Sequence, residues 1–166
     1  MCMESKVNIK TDIKVEAPCL LVYIAKSGKV KIMQVLDFAL REDLWGMKCG
    51  NIFVALKNSG FNDWVQAMQN APSVPPASGW KITLAPVDSL SECFVANAQF
   101  QKGLEFLHVH AVEAEDWLKG WYWSGEQFER EAGQIHTFDM KNGRFGTHDF
   151  QDSNGFVRYA LLKLPE

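Results

Sequence analysis

Two histidines with one residue between them, His108 and His110, stand just ahead of Glu113 and Glu115 and form the sharpest chemical pattern in the chain. If "GLEFLHVHAVEAEDWLKG" (103–120) runs as a strand, alternation puts both imidazoles on one face. Adding Glu113 or Glu115 gives the two-histidine, one-carboxylate set that holds iron or manganese. The plain alternative is two histidines on a partly exposed strand beside an acidic turn.

Other chemistries have less behind them. There is no G-x-S-x-G elbow, and Ser124 in "WSGEQ" lacks the glycine frame that exposes a nucleophile. Cys93 falls on an apolar helical face, where a thiol packs rather than reacts. Glu126, Glu129 and Glu131 could supply a carboxylate pair, but the separation that glycoside cleavage depends on is not readable from sequence. "KNGRFG" (141–146) is a turn and not a phosphate cradle. The H-x-H run is similar to the first cupin motif, in which a Gly precedes and a Glu follows the pair. Gly103 lies one residue too close, and the second cupin motif, with a proline turn before a third His, is missing.

A different concentration sits at "WLKGWYWSGEQF" (117–128): half of the six tryptophans, with Tyr122 among them, then a polar run. Such a cluster is either the centre of a core or a platform that a ligand meets.

The surrounding composition narrows the choice. A chain of 166 residues fits one domain with a sizeable core. Its net charge of −3 leaves no basic footprint for nucleic acid. No apolar run is long enough for a membrane-spanning helix, and "MCMESKVNIK" lacks the pattern of a secretory signal. The four cysteines show no metal-binding spacing; Cys19 and Cys93 read as buried small hydrophobes, and a Cys49–Cys93 disulfide stays open.

The elements that would position these groups begin with residues 1–18, an N-terminal arm or edge strand, before a domain over 19–166. "CLLVYIA" and "KVKIMQVLDF" form a hairpin around Ser27-Gly28. "GFNDWVQAMQNAP" (60–72) is helical, capped by Asn62 or Asp63 and stopped by Pro72, Pro75 and Pro76. A second helix starts near Val87, with Val87, Leu90, Phe94 and Ala98 at helical spacing and a Ser89/Glu92 capping box. "QIHTFDM" (134–140) and "FVRYALLKL" (156–164) are strands, with a turn at Asn142-Gly143. The fold class is α+β: an antiparallel sheet, two helices and long C-terminal loops.

From Tyr122 onward the chain resembles the end of the bacterial C-type-lectin-like domains of the Lcl C-terminal type, found in surface and adhesion proteins. The landmarks are Tyr122-Trp123-Ser124, Phe138, Asn142-Gly143 and Val157-Arg158; upstream, Trp45-Gly46 and Gly79-Trp80 fall where the family carries similar pairs. The resemblance implies a C-type-lectin-like fold and a non-catalytic module that recognises a protein or glycan through its C-terminal loops, as phage-type receptor-binding proteins of this fold do. The ligand-binding residues it points to are Trp123, Glu126, Gln127, Arg130, His136, Arg144, His148, Asp149 and Asp152. It also implies a cell-surface or secreted setting. The Glu-Pro-Asn type tripeptide that binds calcium and sugar in animal lectins is absent, as are cysteines after Cys93 such as sulfatase-modifying enzymes use. No resident cofactor is expected; calcium is the ion a loop site could take, and a transition metal belongs only to the cupin-like alternative with His108, His110 and Glu113 or Glu115.

Overall fold

The computed structural model describes residues 20–35, 42–72, 79–151 and 153–165; the arm over residues 1–18 lies outside them. Two runs of β-branched and aliphatic residues, β1 (Leu20–Ile24) and β2 (Val30–Gln34), pair as a hairpin. Its turn closes through Gly28 N–H on Ala25 O, with Gly28 at a φ of 89°. β3 (Leu44–Cys49) and β4 (Ile52–Ala55) make a second hairpin against β1. The short β5 (Phe61–Asn62) leads into helix α1 (Trp64–Gln69), whose N-cap is Asp63: its Oδ1 accepts Gln66 N–H at 2.9 Å.

Next come β6 (Trp80–Leu84) and two consecutive helices, α2 (Val87–Val95) and α3 (Asn97–Val109). Sequence spacing predicts two helices in all; the described residues hold three. The Val87–Ala98 periodicity is broken at Ala96, which caps α2 and begins α3. Ser89 is buried inside α2 rather than capping it, and the N-cap position is Pro86, which has no side chain able to accept. The C-terminal strands are β7 (Trp121–Gln127), β8 (Gln134–Asp139), β9 (Arg144–Asp149), β10 (Gly155–Phe156) and β11 (Tyr159–Lys163). The C-terminal polar stretches expected as long loops are about half strand, with turns left at 128–133 and 140–143.

The strands form two sheets rather than one: β2-β1-β3-β4-β11-β6, and β5-β10-β7-β8-β9. Among the described residues all pairings are antiparallel except the parallel β10–β7 bridge. The last strand is inserted between β4 and β6, so the chain's end closes the first sheet. Because β side chains alternate, β1 sends Leu21 and Tyr23 into one cluster and Val22 into the other. The larger cluster includes α2 and α3 residues such as Leu90, Phe100 and Leu104, together with Tyr122 and Phe138; the smaller holds Ala67 of α1, Trp123 and Ile135. The second sheet is thus anchored by Tyr122 on one face and Trp123 on the other.

Candidate functional site

β7, β8 and β9 carry the aromatic run and most of the polar positions singled out in the sequence. Trp121 opposes Asp139 and Trp123 opposes Thr137; across β8, Asp139 opposes Arg144, Thr137 opposes Gly146 and Ile135 opposes His148. Directly opposed residues share a face. On that face Trp123 and Ile135 are buried, while Trp121 and His148 remain half-exposed and Arg144 is exposed.

The exposed part is ordered. The Trp121 indole lies over Gly146, where an added Cβ would stand 2.6 Å from Cζ3 and 2.8 Å from Cη2. The Arg144 guanidinium is 5.8 Å from the indole centroid, a cation–π distance, and the His148 ring meets the indole edge-on at 5.0 Å. Arg144 Nη2 donates to Asp139 Oδ2 at 3.3 Å. Asp139 is 2 % exposed, and its carboxylate also accepts Lys141 N–H, Asn142 N–H and Asn142 Nδ2. Burial alone would raise its pKa; these hydrogen bonds outweigh it and hold the carboxyl below the ordinary Asp value. His148 Nδ1 lies 2.8 Å from Thr137 Oγ1, and burial lowers its pKa, which favours the neutral ring at pH 7. The result is an indole, a guanidinium and a neutral imidazole fixed on hydrogen-bonded strands. Such groups offer contact area and donors with little side-chain entropy left to lose on binding.

The remaining sequence candidates are distributed differently. Trp123, expected at the ligand surface, is 2 % exposed and donates its Nε1–H to Asn62 O at 2.7 Å, so it belongs to the core. Glu126 is exposed, but its Oε1 accepts Val87 N–H at 2.8 Å and supplies the cap that Pro86 cannot. Gln127 ends β7 and Arg130 lies exposed in the turn before β8. His136 and Asp149 are on the opposite face from Arg144 and His148, by strand alternation; His136 packs edge-on against Phe128, and Asp149 Oδ1 accepts Gln151 N–H. Asp152 lies outside the described residues. The structure thus unites Arg144 and His148 and adds Trp121, Asp139 and Gly146. Asp139 was detectable as an acid before a Lys-Asn-Gly turn, since Asp side chains bond backbone N–H groups two and three residues on.

The H-x-H pattern is corrected more fully. His108 lies in α3 and His110 is its C-cap, so the strand face expected to align them does not exist. Residues two apart on a helix diverge by about 200°. His108 Nε2 bonds Ala114 O at 2.8 Å, and His110 stacks on Phe106 with ring centroids 4.4 Å apart. Glu113 is ion-paired with Lys57, and Glu115 with Lys119. Among the described residues no group of three His, Cys, Asp or Glu is placed to hold a metal ion. Lys57, His108, Glu113 and Glu115 instead line an open cleft of about 490 Å³.

Compared with known proteins, the chain matches no family model, no curated protein and no solved structure. Among the described residues no helix is long and apolar enough to cross a membrane.

Proposed function

We propose that the chain is a non-catalytic binding module of C-type-lectin-like type that takes a protein or glycan ligand on the open face of its C-terminal sheet. The observation that carries this reading is Trp121, half-exposed over Gly146 and flanked by Arg144 and His148. An indole held this way offers an apolar surface to a sugar ring or an aliphatic side chain. Arg144 uses one N–H on Asp139 and has others to offer an acceptor. The lectin-like part of the proposal is supported by the order of elements: Tyr122-Trp123-Ser124 in β7, Phe138 in β8, the Asn142-Gly143 turn, and Val157-Arg158 leading into the closing strand.

The test is binding of the labelled chain to an immobilised glycan panel and to intact bacterial cell surfaces, beside a Trp121→Ala/Arg144→Ala variant with a matched thermal midpoint. Binding by the parent that falls at least tenfold in the variant supports the site. Equal binding by both moves the site off this face, and no binding by the parent in either format removes the proposal.

A further inference from the structure

The two buried cysteines have no part in the surface just described. Cys49 closes β3 and is 2 % exposed; Cys93 lies within α2 and is 0 % exposed; both are free thiols. Cys93 Sγ lies 3.0 Å from Cys49 O and Cys49 Sγ lies 3.7 Å from Cys93 O, so each thiol points at the other residue's main chain. The backbones also approach closely at the next residue. Gly50, at a φ of 59°, has no side chain, and a Cβ there would stand 3.1 Å from Cys93 N. The two thiols are thus brought side by side from two different elements, each within reach of the other residue's main chain, the proximity that a disulfide needs before its sulfurs turn toward each other.

We infer that Cys49 and Cys93 are a redox-convertible pair, which closes under oxidising conditions into a disulfide tying the end of β3 to helix α2. With a small disulfide oxidant such as glutathione disulfide, one cysteine thiolate attacks an oxidant sulfur and expels a glutathione thiolate. The second cysteine thiolate then displaces the other glutathione. Both thiols give up their protons, the pair loses two electrons, and the oxidant takes them up as two glutathione thiols. The intact core slows the first attack, because burial pushes the Cys93 thiol pKa up and the site has no access from solvent. Exchange therefore proceeds during folding or local opening. The same tightness disfavours a lasting glutathione adduct, leaving dithiol and disulfide as the two end states. The link would tie the first sheet covalently to the helix whose first amide is held, through a hydrogen bond, by Glu126 of β7 in the second sheet.

The experiment uses the full chain with Cys2→Ser and Cys19→Ser, which leaves only this pair, refolded in glutathione/glutathione disulfide buffer. The product is quenched in acid, denatured, alkylated and weighed. The expected product has lost the mass of two hydrogens, takes up no alkyl group, yields one peptide joining Cys49 to Cys93, and shows a raised urea midpoint that dithiothreitol reverses. A Cys49→Ala/Cys93→Ala variant on the same background should fold and show no midpoint response to the buffer. Folded product with two alkyl groups, a glutathione adduct, an oxidised form that cannot fold, or a responding double variant would each overturn the inference.

Discussion

Arg158 presents its guanidinium to the face of Trp117, 5.4 Å from the ring centroid, and Phe100 stands at the same distance. Among the described residues no carboxylate is ion-paired with this 2 % exposed cation. Its donors go instead to Ala55 O, Leu56 O and, at 3.4 Å, Asn58 Oδ1. Burial lowers its pKa to about 10. The arginine, directly before β11, therefore joins the start of that strand to the end of β4 and the loop leaving it, and it lines up Asn58, whose amide donates to the buried Tyr122 hydroxyl at 3.0 Å.

Replacing Arg158 by Met removes the charge but leaves the carbonyls of Ala55 and Leu56 short of a donor. Arg158→Lys keeps the charge but not the planar fork that reaches three acceptors. Each substitution is expected to cost about 2–3 kcal/mol, the scale for losing buried hydrogen bonds to a charged group and leaving carbonyls unpaired. The measurement is urea denaturation followed by circular dichroism. A loss under about 1 kcal/mol for Arg158→Lys would mean that charge, and not the fork, holds the loop.

A second expectation concerns Glu126, which sequence reading placed at the ligand surface. As the acceptor for Val87 N–H it should contribute as an N-cap does, so Glu126→Ala costs about 1 kcal/mol. Glu126→Gln keeps an acceptor oxygen and should recover most of that. If the two variants match the parent in stability but differ from it in ligand binding, the side chain serves the surface and not the helix.

The contrast between these positions shows what the sequence could and could not disclose. Local turn chemistry was legible: Ser27-Gly28, Asn142-Gly143 and the Asp63 cap all stand where the residues suggested. Helix α3 was readable but masked by the H-x-H pattern, since Phe100, Gly103, Leu104 and Leu107 recur at helical spacing and are its buried residues. The fate of the tryptophans was not legible. Alternation puts Trp121 and Trp123 on one face of β7, yet Trp123 is the buried one because distant parts of the chain cover it: Asn62 O, 61 residues earlier, accepts its N–H, and Ala67 and Val157 share its cluster. The α2 cap was equally hidden, because it comes from 39 residues away.

Asp139 gives the site a pH signature. Its folded carboxyl titrates below the ordinary Asp value, so the folded state favours the ionised form. The stability this contributes is complete above the unfolded value, near pH 4, and is lost as pH falls through the lower folded value. Asp139→Asn should lower stability at pH 7 by about 1–3 kcal/mol, from the lost charged hydrogen bonds, and should flatten the acid limb below pH ~4. Urea midpoints from pH 3 to 7 check this; an unchanged acid limb would place the responsible carboxylate elsewhere.

Gly146 is the position where fold and proposed function separate most cleanly. A Cβ there collides with the far ring of Trp121 and lies 3.3 Å from Thr137 Oγ1. Because the closest atoms belong to the free end of a half-exposed side chain, the indole can swing outward, and Gly146→Ala should cost only about 1 kcal/mol. The swing takes Trp121 away from His148 and from the guanidinium of Arg144, so the surface loses its arrangement while the sheet persists. The emission of Trp121 should shift to longer wavelength, a change that Trp121→Phe on the Gly146→Ala background abolishes. Binding should fall as far as in Trp121→Ala. Full binding with the shifted emission would show that the ligand does not depend on the indole's place over Gly146.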